Sequence, residues 1–130
     1  MADSSSQITV DMLEDRRAIR MVWPHSVASG AVRDAFASVT QLLKQSDSPV
    51  YVLVDIRSEP NFPVVETAVH ALAGPQRHAN LAGWLVVGSS PAARKIEGML
   101  TQVTGKQTVQ WFDTEEEALE AALELTKKNG

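Results

Sequence analysis

The chain contains no cysteine. Disulfides, thiolate nucleophiles, zinc–thiolate sites and thiol redox chemistry are therefore excluded together. Positive charge is also scarce, with 12 lysines and arginines against 16 acidic residues and a net charge of −4. Such a surface has no general attraction for phosphate backbones or anionic lipid, so nucleic acid is not an expected partner. Long apolar runs are absent, and the start Met1-Ala2-Asp3-Ser4-Ser5-Ser6-Gln7 has neither the cationic stretch nor the apolar core of a signal peptide. The expectation is a soluble cytoplasmic protein, not an integral membrane protein. What is present suits one hydrophobic core: 130 residues, 44% hydrophobic and 22% charged. Residues 1–6 are small and polar and read as a flexible tail, leaving 7–130 as a single domain.

Within that domain a short apolar run, a polar break and a helix-period segment recur. Ile8, Val10 and Met12 alternate with Thr9 and Asp11, and after Glu14-Asp15-Arg16 a second alternation sets Ile19, Met21 and Trp23 on one face. These two segments predict an antiparallel hairpin that stops at Pro24, which cannot donate to a ladder. From Ser29 to Lys44 the apolar positions move to helix spacing, with Ser26 or Ser29 as the expected cap. Val50-Tyr51-Val52-Leu53-Val54-Asp55-Ile56 is apolar at nearly every position and β-branched, the pattern of a strand covered on both faces. Asn61 is then expected to cap a second helix with Val65, Ala68, Val69 and Leu72 buried, ended by Gly74-Pro75. Leu81 to Gly88 predicts the next strand. Ser89-Ser90-Pro91 opens a third helix with Ala92 or Ala93, Ile96, Met99, Leu100 and Val103 as its stripe, closed by Gly105. Thr108–Phe112 predicts a last strand. Thr114-Glu115-Glu116-Glu117 reads as a capping box for a fourth helix that buries Ala118, Leu119, Ala122 and Leu123 and ends near Lys127 and Lys128. The order β-β-α-β-α-β-α-β-α, with right-handed crossovers, predicts an α/β fold with a mixed, mostly parallel five-stranded sheet and about four helices.

On three segments the chain resembles the STAS, or SpoIIAA-like, superfamily of anti-sigma-factor antagonist fold, over roughly Gln7 to Leu125. They are the strand ending Val54-Asp55-Ile56, then Trp84-Leu85-Val86-Val87-Gly88 before a helix, and Val109-Gln110-Trp111-Phe112-Asp113-Thr114-Glu115-Glu116-Glu117-Ala118-Leu119. The resemblance implies a β-α superhelix and a regulatory role exercised through protein partners. In the antagonist branch an Asp-Ser-Ser-Gly-type motif starts the helix after the third strand and carries a phosphorylated serine. Here that helix start reads Asn61-Phe62-Pro63-Val64-Val65-Glu66, with no hydroxyl at the phosphoacceptor position. Ser58 lies upstream and Thr67 downstream, inside the helix, so the switch is expected to be absent.

Two loops and three residue sets are candidates for chemistry. Gly88-Ser89-Ser90-Pro91 lies between a strand and a helix, where free N–H groups favour an anion, and Arg94 and Lys95 add positive charge. An N-cap is the bland alternative for Ser89 or Ser90, since the further glycines and the Lys-Ser/Thr ending of a P-loop are missing. Asp55, Arg57, Ser58 and Glu59 follow the central strand, at the sheet edge where ligands commonly sit. Acid-base work there needs a shifted pKa and a partner within reach, whereas a polar loop with Asp55 paired locally needs neither. His25, His70 and His78 have no i, i+4 spacing among themselves, while Glu66 and His70 do fall four apart as a helix-surface pair. No metal or cofactor is expected. Trp84 is expected in the core; Trp23 and Trp111 are open between core and interface. Phe62 precedes Pro63 in a loop, either as a hydrophobic staple or as an exposed anchor.

No catalytic set emerges from these residues. The leading expectation is a non-enzymatic regulatory or protein-interaction module that uses Arg57, Ser58, Asn61, Phe62 and Glu66. Homodimerisation is a further expectation, because a hairpin edge must be covered or blunted. The second class is binding of a small or lipid-like molecule between a helix and the sheet, and enzyme ranks last.

Overall fold

The computed structural model describes residues 7–13, 18–28 and 30–129. The tail at 1–6, the hairpin turn at Glu14-Asp15-Arg16 and the candidate cap Ser29 lie outside these residues. The elements are β1 (Thr9–Met12), β2 (Ala18–Val22), α1 (Ala31–Gln45), β3 (Val50–Asp55), α2 (Val64–Ala73), a 3-10 turn (Pro75–Arg77), β4 (Leu81–Val87), α3 (Pro91–Thr104), β5 (Val109–Phe112) and α4 (Glu115–Asn129). They make an α/β fold with one mixed five-stranded sheet, in which β1 is antiparallel to β2 and every other pair is parallel.

The strands lie in the sequential order β1-β2-β3-β4-β5. Each parallel connection therefore steps one strand in the same direction, and right-handed crossovers must then put all three connecting helices on one face. The core obeys this. One buried cluster joins Ile19, Met21, Val52 and Trp84 of the sheet to Val32, Phe36, Val39 and Leu43 of α1, Ala71 of α2 and Leu100 of α3. Alternate strand residues point the other way. There Tyr51, Leu53, Leu85 and Val87 meet Ala118 and Ala122 of α4, which covers the second face. β3 and β4, covered on both sides, are the near-continuous apolar runs of the sequence.

The helix ends differ from expectation in three places. α1 starts at Gly30 with φ +83 and no side-chain cap, because Ser26 is held extended in a bridge to Asn61 ahead of the helix. That bridge also removes Asn61 from capping, and α2 begins after Pro63 without a side-chain cap. At α4 the Thr114 hydroxyl accepts the Glu117 N–H at 3.2 Å, but Glu117 Oε1 takes the Thr114 hydroxyl, not its backbone N–H. Ser90 caps α3 as expected, accepting the Ala93 N–H at 3.1 Å, and Gly105 ends it with φ +72.

The phase of α2 is the largest difference. Thr67, Ala68 and Ala71 face inward, while Val65 and Val69 stand in solvent. The helix is apolar on nearly every side, so periodicity alone does not choose a face. The observed inner side, with Thr67 and Ala71, lies over the rings of Trp23, Phe36 and Trp84.

Candidate functional site

β3 delivers Asp55 to the C-terminal edge of the sheet, where its carboxylate folds back onto Arg57. It accepts from the Arg57 backbone N–H and Nε at 3.0 Å each and from Nη2 at 2.6 Å. This bidentate contact, first among the causes, holds the Asp55 carboxyl below the usual carboxylate range, against the opposing effect of its partial burial. Asp55 is thus ionised at neutral pH, but its lowered pKa makes it a weak base and its oxygens are engaged by Arg57, whereas a general base works best with a pKa near the working pH. Because its folded pKa is depressed, the stabilisation is present above the unfolded carboxylate pKa and lost as pH falls through the folded value. Asp55→Asn is expected to lower the melting temperature at neutral pH. That gap should close on acidification below the ordinary carboxylate range, as read by thermal melts at a series of pH values.

The next residues tie two connections together. Ser58 Oγ donates to the Trp23 carbonyl at 2.6 Å, and the Asn61 N–H donates to the His25 carbonyl at 2.9 Å. His25 Nδ1 sits 3.1 Å from the Ser58 carbonyl oxygen. Ser58 and His25 therefore touch, yet not as a nucleophile and its base, since the contact runs through the carbonyl and not the hydroxyl. Glu59 takes φ +56 where the chain turns back to bond Ile56. Phe62 is half-buried, its ring 5.1 Å from that of Trp23, and thus rests on the core. Arg57, Ser58, Asn61 and Phe62 are gathered in one connection. Glu66 lies on the first turn of α2 with His70 Nε2 at 3.7 Å, the helix-surface pair that their spacing predicts.

The second loop is adjacent, and two N–H groups there are engaged. The Gly88 N–H goes to the Phe112 carbonyl at 2.9 Å and the Ala93 N–H to Ser90 Oγ. Arg94 lies over Trp111, with its Cζ 3.9 Å from the ring centroid, and its Nε donates to Ser89 Oγ of the loop at 3.4 Å. Trp111 in turn donates Nε1 to Glu97 Oε2 at 3.0 Å. Trp23 and Trp84 are both buried, and Trp111 is half-buried. Among the described residues no group of three or more His, Asp or Glu is placed to hold a metal ion, and no helix is long and apolar enough to cross a membrane.

Sheet topology bears on both loops. Ligand crevices in open α/β sheets open where the strand order reverses and neighbouring crossovers leave to opposite faces. Here the order never reverses. What remains exposed and unusual is apolar: Val65 at 65% and Val69 at 54% on α2, with Val103 at 67% on α3. Leu72, Ala73 and the stem of Arg77 line a shallow groove between Val69 and Val103. Sequence periodicity assigned all three valines to the core. For Val65 and Val69 the sequence signal was the surplus of apolar residues on α2, too many for one face. Asn80 was also missed; its Nδ2 donates to the Leu43 and Ser46 carbonyls at 3.0 and 2.9 Å, closing the C-terminal end of α1. A scan of protein-family models finds none that matches the chain, and comparison with curated proteins and with solved structures likewise finds no match.

Proposed function

We propose that this chain is a non-enzymatic regulatory module of the cytoplasm, SpoIIAA-like without the phosphoacceptor switch, which works by protein–protein contact through the outer face of α2 and α3. One observation carries it: Val65, Val69 and Val103 are exposed side by side with an apolar groove where a solvated helix face would carry charge. The engaged states of Asp55, Ser58 and Arg94 support a role other than catalysis.

The first occupant of this face is a second copy of the chain. Exposed Glu66 stands at the start of α2 and exposed Arg77 just beyond its end, with Val69 and Ala73 between them. Two such helices crossing antiparallel about a twofold axis set each Glu66 against the partner's Arg77 while the valines pack together. Light scattering on the eluting protein is expected to give a dimer mass for the native chain and a monomer mass for Val69→Lys, with thermal stability nearly unchanged because the side chain is solvent-facing. A monomer at all concentrations rejects self-association. A native-like dimer for Val69→Lys rejects this face.

A further inference from the structure

Beneath α2, on the inner side opposite the exposed valines, the sheet and the helices leave a cavity of about 70 Å³. All three tryptophans of the chain line it, with Phe36, Leu100 and Val109. Thr67 borders it as well, yet its hydroxyl and the Trp23 indole N–H are sealed inside the wall, so the cavity offers almost no polar surface. Water stays in a cavity only where polar groups hold it, and a void without them stays dry. Such a space costs stability in proportion to the volume left unfilled. The same helix sets Val65 and Val69 in solvent while Thr67 and Ala71 stand over the rings, so α2 turns larger side chains outward and leaves the space inside open. The cavity is not enclosed. Phe62, Ala93, Ile96 and Trp111, each half-buried, frame it between the start of α2 and the first turns of α3.

We infer that this cavity takes the alkyl end of a small amphiphile, whose polar part stays in water at the mouth. Size sets how much enters: an apolar cavity of about 150 Å³ takes up benzene, so one of about 70 Å³ holds about three carbons. The wall sets the chemistry. An alkyl group leaves water for a dry apolar surface with no hydrogen bond forfeited on either side, whereas a polar end would be stripped of its hydration without compensation. Selection is therefore by shape and length. The site lies on the opposite side of α2 from the docking face and stands whether or not that face pairs.

The test is a carbon–proton methyl spectrum of the full chain, titrated with β-D-glucosides that carry methyl, ethyl, propyl, butyl, pentyl or hexyl groups on one uncharged head. Expected is a saturable shift of the Ile96, Leu100 and Val109 methyls with the propyl compound and none with the methyl compound. Affinity should rise about fourfold per carbon as far as propyl or butyl, the worth of one buried methylene, and by less than about twofold per carbon beyond. Ala71→Val fills the cavity with an isopropyl group and should weaken the propyl compound about tenfold. Ile96→Ala trims the mouth to a methyl group and should move the break in the series to longer chains, which carries the test if Ala71→Val does not fold. Absence of a saturable shift in the cavity methyls overturns the inference. So does a break that Ile96→Ala leaves in place. An affinity that climbs by the same factor through hexyl, with shifts at Val65, Val69 and Val103, marks adsorption on the outer valines and overturns it equally.

Discussion

Trp84→Ala is expected to remove about 3–5 kcal/mol of folding stability, the range for deleting a buried aromatic side chain. Trp84 sits in β4 with only 4% of its surface exposed. Phe36 of α1 meets it edge-on, with centroids 6.0 Å apart and planes at 89°, and Nε1 donates to Gln76 of the 3-10 turn at 2.8 Å. One side chain thus binds the central sheet, α1 and the turn after α2. Cutting it to a methyl also enlarges a cavity that already lies alongside, and the walls are rigid strands that collapse poorly. Against a usual total of about 5–15 kcal/mol, the variant should be near the edge of folding at room temperature. Trp84→Phe separates the contributions: the ring and its contact with Phe36 stay, the hydrogen bond goes, and Gln76 is half-exposed enough to turn to water. A loss of about 1–2 kcal/mol is expected there. Urea denaturation followed by far-ultraviolet circular dichroism measures both, and equal losses for the two variants would assign the effect to the hydrogen bond instead of the packing.

The same residue shows what the sequence makes legible. Trp84 lies in a run from Leu81 to Val87 that is apolar without alternation, and such a run has one stable solution, a strand covered on both faces. Two apolar runs of this kind and the shorter Val109–Phe112, joined by segments of helix length, leave little freedom: parallel strands, right-handed crossovers, helices on one side. Element order and sheet composition follow from local chemistry summed over short windows. What local chemistry does not contain is which side of an all-apolar helix turns inward. Val64, Val65, Ala68, Val69, Ala71, Leu72 and Ala73 satisfy several phases of α2 about equally. The face that turns inward, with Thr67 and Ala71, meets Trp23, Phe36 and Trp84, which are distant in sequence. Ser26 and Asn61 were misassigned for the same reason. Each has the chemistry of a cap, but they are 35 residues apart and pair with each other.

The candidate site was legible only as far as its loops. Placing Asp55, Arg57, Ser58 and Phe62 after the central strand was right in position, yet their partners are set by pairing across connections, which no spacing rule carries. The exposed apolar side chains lie in the helical layer instead, Val65 and Val69 because α2 turns Thr67, Ala68 and Ala71 inward, with Val103 of α3 across the groove.

Gly88→Ala is expected to cost about 2–4 kcal/mol, a large effect for one added methyl group on a half-buried residue. Two contributions add. Gly88 has φ +104, outside the regions open to residues with a Cβ, and strain of that kind costs about 1–3 kcal/mol. The methyl carbon would also lie 3.2 Å from the Arg57 nitrogen and 3.3 Å from the Ile56 carbonyl carbon, both backbone atoms that cannot rotate away. Here the end of β4 passes so close to the end of β3 that a hydrogen atom is all the space allows. The carbonyl of Val87 is meanwhile held by the Ile56 N–H at 3.0 Å, so separating the two chains breaks a ladder bond. Gly105→Ala is the internal control. Gly105 has φ +72, but its added methyl meets nothing within 4 Å, so only backbone strain of about 1–2 kcal/mol is at stake. The excess of Gly88→Ala over Gly105→Ala in chemical denaturation therefore measures chiefly the contact between the two connections. If the two variants lose the same stability, the glycine between Val87 and Ser89 serves backbone conformation alone. If Gly88→Ala loses more, the strand ending Val86-Val87-Gly88 is explained by close packing of neighbouring strand ends, with no phosphate needed to account for the glycine.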